Sequence, residues 1–179
     1  SKKIKTRQVI IEVKDFPGKT VTIQSTDNGP LLPITLPGLK EIVPPGHVAS
    51  LSWTGFDPND KSLGTLIRLM YAPNVEIAKE ILRDFHAPVQ NFLLVDKKNI
   101  AIQVAGKIPL RDENHTTKGR YPSLGYVPEN IWKGYIDYDE NPFILNPESG
   151  IVANTNNRIA TKEFPKHISY EWGDSHRIL

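Results

Sequence analysis

The chain has 179 residues, 39% of them hydrophobic, with 22 Lys and Arg against 20 Asp and Glu for a formal net charge of +2. That is enough for one ordinary domain, or one with a small appendage, and it is not the composition of a disordered chain. The near-balance of charge offers no field that argues for nucleic acid, and apolar runs such as Phe92–Val95 fall far short of the roughly 20 residues a membrane-spanning helix needs.

In chain order, the β-branched run Thr6–Val13 predicts a strand with Val9, Ile11 and Val13 on one face, followed by turn residues Asp15-Phe16-Pro17-Gly18 and a second strand over Val21–Ser25. From Asn28-Gly29-Pro30 to Pro44-Pro45-Gly46 the density of Pro and Gly predicts an extended connection and a boundary within the chain. Val48–Thr54 returns to strand character. Leu63, Leu66, Ile67 and Met70 then recur at helical spacing and predict an apolar stripe on one face. Asn74 is a good N-cap for a second helix, whose Val75, Ala78, Leu82 and Phe85 form the buried face. Asn91–Val95 and Ile100–Ala105 flank Asp96-Lys97-Lys98-Asn99 as a hairpin. Leu110–Asn141 is irregular, and Phe143–Asn146 with Gly150–Asn154 predicts one more strand pair.

The absence of cysteine excludes disulfides and thiolate metal sites. His47, His86, His115, His167 and His176 are scattered, none paired at zinc-ligand spacing, and the acidic pairs around Asp57 and Asp139 lack the calcium-loop pattern. No phosphate-binding loop or Gly-x-Ser-x-Gly elbow occurs. Trp53, Trp132 and Trp172 read as core residues. Asn154-Thr155-Asn156-Asn157-Arg158 directly follows the apolar Ile151-Val152-Ala153 and has two readings. Asn supports turns through its own side chain; amides held at a rigid strand end also serve as oxyanion donors.

Asn146-Pro-Glu-Ser-Gly150-Ile-Val-Ala-Asn-Thr-Asn156-Asn157, followed by Trp172-Gly-Asp-Ser-His-Arg177-Ile, resembles the penicillin amidase (penicillin acylase) family. Asn156 and Arg177 are 21 residues apart, as the family pattern asks. Pro88-Val-Gln-Asn91, Gly106-Lys-Ile-Pro109-Leu-Arg111 and Thr26-Asp-Asn-Gly29-Pro30 resemble further family blocks, the last with Asn28 in place of His. The resemblance implies an N-terminal-nucleophile hydrolase with an autoproteolytic precursor and an extracytoplasmic location. Its new N-terminal serine, with the α-amine as base, forms an acyl-enzyme from an amide. By the same resemblance Asn156 hydrogen-bonds the oxyanion and Arg177 lies near the nucleophile.

The expected fold class is α+β, part of a four-layer αββα sandwich, with residues 1–45 as the β-rich end of an inserted domain and 46–179 as a partial hydrolase core. Ser1, followed by Lys2-Lys3-Ile4, does not match the family nucleophile. The expectation is therefore an internal fragment, inactive alone, that needs a missing α-chain and the rest of its β-chain as partners. Its substrate would be a small acyl amide, with neither nucleic acid nor membrane as a partner. No cofactor is implied, and Glu163, Lys166 and His167 stand where the family's structural calcium site asks for aspartate. An acyl-homoserine lactone acylase of the same fold, or a non-catalytic β-rich module, are the alternatives.

Overall fold

The computed structural model describes residues 3–172, and the chain divides into two compact units, Ser1–Trp53 and Thr54–Leu179. In the first, β1 (Lys5–Val13) pairs antiparallel with β2 (Phe16–Thr26), and β3 (Gly29–Pro30) closes the sheet in the order β1-β2-β3. The register puts Val13 opposite Phe16, so the turn is the two residues Lys14 and Asp15, with Asp15 at φ 64°. Phe16-Pro17-Gly18 is therefore strand, not turn. Ile10, Ile11, Val13 and Phe16 are exposed, so the expected apolar face of β1 is not a core face within this unit. Beyond β3, Leu32 N–H donates to Ala49 O at 2.9 Å and Leu51 N–H to Pro30 O at 2.9 Å, which ties 49–51 back onto 30–32. Gly29 makes this approach possible: a Cβ there would lie 2.0 Å from Leu51 O. A short helix, α1 (Leu39–Ile42), interrupts the Pro- and Gly-rich connection.

In the second unit the predicted hairpin forms as β4 (Gln90–Val95) and β5 (Ile100–Ala105), and β6 (Phe143–Leu145) pairs antiparallel with the other edge of β5. A central strand buried on both faces carries two cores, because alternate side chains point to opposite sides. Ala101 and Ala105 pack with Val75, Ala78, Leu82 and Phe85 of α3 (Val75–Leu82) and its C-terminal turn. Val104 packs instead with Ile108 and Ile136. The helix starts where Asn74 accepts from Ile77 N–H at 2.8 Å, as the sequence predicts. At the hairpin tip Asp96 accepts from Val75, Lys98 and Asn99 N–H, which holds its carboxyl down at about 2 and pins the tip to the start of α3.

Two expectations fail here. α2 (Ser62–Leu69) forms, yet its buried residues are Ser62 and Thr65, and Leu63, Leu66, Ile67 and Met70 are exposed. Orientation is set by hydrogen bonds: Ser62 Oγ donates to Asp60 at 2.6 Å and accepts from His86 N–H at 2.9 Å and Ala87 N–H at 3.1 Å. The second failure is the strand at Gly150–Asn154. The β5–β6 ladder ends at Asn146, whose side-chain Oδ1 accepts from Ile100 N–H at 2.9 Å and whose Nδ2 donates to Asn99 at 2.9 Å. Asn146 takes φ 46°, Gly150 N–H closes a turn on Pro147 O at 2.8 Å, and the chain leaves the sheet.

The irregular stretch after β5 is organised by buried polar side chains. Asn130 Oδ1 accepts from Thr116 N–H at 3.0 Å, and His115 Nδ1 accepts from Thr117 N–H at 3.2 Å and Lys118 N–H at 3.0 Å. A ring nitrogen accepting two amides is unprotonated. Burial, and then the Arg111 cation, hold the His115 pKa below its ordinary 6.5, and the same two causes lower His167. For a folded-state pKa below the unfolded one, the unfolded chain binds more protons in the window between them, so stability falls as pH drops below 6.5. The melting temperature is expected to decline as pH falls below the ordinary histidine value, and His115→Asn, which keeps an acceptor, should shrink that decline; an unchanged profile in the variant contradicts this account. Gly106 sits at φ +124° with a would-be Cβ 2.8 Å from Val89 Cα. Gly106→Ala should therefore lose at least about 1–3 kcal/mol in denaturant unfolding, from backbone strain alone.

Candidate active site

Asn156 lies at φ 65°, in the left-handed region that Asn tolerates better than most residues. Two turns, each accepted by a side-chain amide oxygen, hold it there. Asn154 Oδ1 accepts from Asn156 N–H at 3.2 Å, and Asn157 Oδ1 accepts from Thr155 N–H at 3.0 Å. The same Asn154 Oδ1 also accepts from Asn91 Nδ2 at 3.0 Å. Asn91 is on β4, opposite Val104 of β5. The loop that carries Asn156 is thereby tied to the sheet through one shared acceptor. Both readings of this amide run meet in the structure: it is a turn, and the turn fixes Asn156.

Asn156 and Asn91 line a cavity of about 340 Å³ together with Arg111, Ile159, Ile168 and Trp172. Its walls combine β4 and β5 with 108–111, 156–160 and 168–172. Most of these side chains are apolar, with few polar groups converging among them, which is the chemistry of a small-molecule site. Trp172 Nε1 donates to Ser169 O at 3.1 Å, which fixes the ring beside the cavity. None of the three tryptophans is a fully buried core residue: Trp53 is exposed, and Trp132 and Trp172 are half-buried.

Arg111 is the cavity's only Lys or Arg lining residue among the described residues. Burial holds its pKa below the usual guanidinium value. Its Cζ lies 5.9 Å from the Trp132 ring centroid, and a Cβ at Gly119 would meet its Nη2 at 2.8 Å. The guanidinium therefore lies directly against the Gly119 backbone. Nε and Nη1 are buried with no hydrogen-bond acceptor.

Of the two predicted site residues, Asn156 is at the cavity and Arg177 lies outside the described residues, as does Ser1. Sequence reasoning gave no role to Asn91, Asn154 or Arg111. Asn91 and Arg111 stood inside quoted motif blocks, and Asn154 was visible only as part of an amide run. No group of three or more His, Cys, Asp or Glu able to hold a metal occurs among the described residues. The stretch 163–167 does not suit calcium, since the Lys166 ammonium there pairs with Glu140 at 2.9 Å and Glu163 is exposed.

The family model described as penicillin amidase matches residues 1–179. An acyl-homoserine lactone acylase, QuiP, of Pseudomonas syringae pv. tomato is 33% identical over 153 residues, 85% of this chain and 18% of the relative. The penicillin G acylase of Escherichia coli is 25% identical over 181 residues, 98% of this chain and 20% of that protein. This chain thus spans about a fifth of the length of these relatives. Among solved structures, a thermostable penicillin G acylase from Alcaligenes faecalis superposes with a TM-score of 0.74 at 21% identity, covering 95% of this chain and 29% of that one. The likeness identifies the fold as that of an N-terminal-nucleophile hydrolase, to which this chain contributes mixed helix and antiparallel sheet. On the match over its whole length, the chain belongs to the penicillin amidase family.

Proposed function

We propose that this chain is part of an amidohydrolase that cleaves a linear acyl amide through an acyl-enzyme on an N-terminal serine, with Asn156 as an oxyanion donor. The observation that carries the reading is the placement of Asn156. Its backbone is locked by Asn154, which is itself bonded to Asn91 of β4, beside an apolar cavity of about 340 Å³. Oxyanion stabilisation needs a donor whose position is set before charge develops, because a donor that must reorganise gives back much of its advantage.

In the proposed reaction the serine and the α-amine that serves as its base come from a stretch of the parent protein outside this sequence. The α-chain and the rest of the β-chain complete the site. The serine oxygen attacks the amide carbonyl, and its proton passes to the amine base. The carbonyl oxygen becomes an oxyanion to which Asn156 Nδ2–H donates. Collapse expels the leaving amine after it takes up a proton, and water then hydrolyses the ester to release a carboxylic acid. An α-amine has an ordinary pKa of about 8, so it works as a base near neutral pH with little tuning. A second reading, in which the amide is that of an acyl-homoserine lactone, is supported by the higher identity to the Pseudomonas acylase than to penicillin G acylase.

In the full-length protein, Asn156→Ala should lower kcat on an acyl anilide by about 10²–10³-fold with KM little changed. Asn154 acts through Asn156, so Asn154→Ala should lower kcat by about tenfold or more. Asn154→Asp, which keeps the shared oxygen acceptor, should recover part of that loss. Equal and small effects of the Asn156 and Asn154 alanine variants return the amide run to a purely structural turn. The 179-residue chain by itself is expected to turn over no amide. Turnover abolished by Ser1→Ala would overturn that expectation.

A further inference from the structure

The hydrolase reading gives no task to the apolar stripe of α2. Leu63, Leu66, Ile67 and Met70 recur at the spacing that buries one flank of a helix. Yet Leu63 is 75% exposed, Met70 80% and the following Tyr71 81%. At about 100° per residue, the stripe is centred roughly 150° around the helix from Arg68. Arg68 Nη2 donates to Asp84 Oδ2 at 2.6 Å, just beyond α3, and Leu69 packs against the cluster that α3 shares with β5. α3 therefore lies on one flank of α2, and the stripe occupies the other. Rotation cannot hide it. Ser62 Oγ donates to Asp60 and accepts from the His86 and Ala87 amides, and Thr65 one turn on is fully buried. Turning the stripe inward would strip two backbone amides of their acceptor.

A helix of eight residues does not persist by propensity alone and depends on the faces it packs. Here the inward positions are Ser62, Thr65 and Leu69, while the larger apolar area faces outward. A contiguous apolar patch of this kind marks a contact surface. The backbone groups of a helix are already bonded within it, so a partner meets side chains, and such rows of side chains fit the grooves of a second helix. We propose that the flank of α2 carrying Leu63, Leu66, Ile67 and Met70 docks an apolar helix of the same parent polypeptide, from outside these 179 residues, extending the layer that α3 and α2 begin. Two arguments select that occupant. The chain spans about a fifth of the length of its relatives, so a parent of their size holds the polypeptide required. A second copy fits worse: the patch covers on the order of a few hundred Å², below the roughly 800 Å² per partner of a stable complex. A segment of the same polypeptide acts at high effective concentration and needs less area. The inference rests on the proposed function for the longer parent, and not for its chemistry.

Photo-crosslinking of the full-length protein, with p-benzoylphenylalanine replacing Tyr71, an aromatic for an aromatic, tests the proposal. The expected adduct, mapped by mass spectrometry, joins position 71 to a peptide of the parent outside these 179 residues. An adduct to a second copy, an adduct within the 179 residues, or none would overturn it. Met70→Cys gives an independent reading, since the chain has no cysteine of its own. Its thiol should react with a maleimide more than about tenfold slower in the native full-length protein than in the same protein unfolded in urea. Equal rates would place the flank in water and overturn the proposal. Neither measurement uses substrate, so a parent that hydrolyses no amide would leave the docking result standing, and a failed docking would leave the amidase reading untouched.

Discussion

β5 is paired along both edges and buried on both faces, and the second unit is arranged around that strand. Its odd-numbered alanines leave room for α3 to pack closely, and its Val104 begins the cluster with Ile108 and Ile136 on the other side. β4 is held to it over six residue pairs, Gln90↔Ala105 to Val95↔Ile100. Asn91 is one of those paired residues, so its side-chain amide projects from a backbone that cannot shift without breaking the ladder. Asn154 receives that amide and passes the constraint to Asn156 through the same oxygen. A loop without regular structure thereby acquires the positional precision of a sheet. Catalytic and binding groups commonly sit on loops carried by a rigid scaffold, and here the link joins a shared amide acceptor to the packing of Ile159 against the Val104 cluster.

Several charged groups at the surface of this unit are paired: Arg83 reaches Asp139 at 2.9 Å and Glu80 at 3.1 Å, and Arg68 reaches Asp84 at 2.6 Å. Exposed pairs of this kind contribute little individually. The half-buried Asp57–Lys107 pair sits beside His86 and has its carboxyl held below the ordinary value, first by the Lys107 hydrogen bond. Among the described residues, the cavity wall carries one cation, Arg111, and one carboxylate, Glu171, set in a preponderance of apolar side chains.

What could be read from the sequence follows the range of the interactions involved. α3 and the β4–β5 hairpin were legible because their causes are local: the Asn74 cap, apolar spacing over two turns, and a polar four-residue tip. α2 was legible as a helix but not in its orientation. An apolar stripe suggests a buried face, whereas Ser62 is held by the backbone of His86 and Ala87, some 24 residues away. The strand at Gly150–Asn154 failed for a similar reason, since the Asn146 side chain closes the ladder against Ile100 and Asn99. In the candidate site, Asn156 stood out by its motif. Asn91 and Asn154, 63 residues apart, had no local signal of their partnership. Arg111 could be recognised only once its missing acceptors and the Gly119 backbone against it were seen.

The central proposal is that Asn156, its backbone held by Asn154, donates to the oxyanion. The most direct measurement is a crystal structure of the full-length protein with an alkyl boronic acid, whose tetrahedral adduct with the nucleophilic serine imitates the reaction intermediate. The account predicts Asn156 Nδ2 about 2.7–3.1 Å from a boronate oxygen, with the Asn91–Asn154–Asn156 bonds unchanged from those described above. A boronate whose oxygens are held by other donors, with the Asn156 side chain turned away from them, would contradict it.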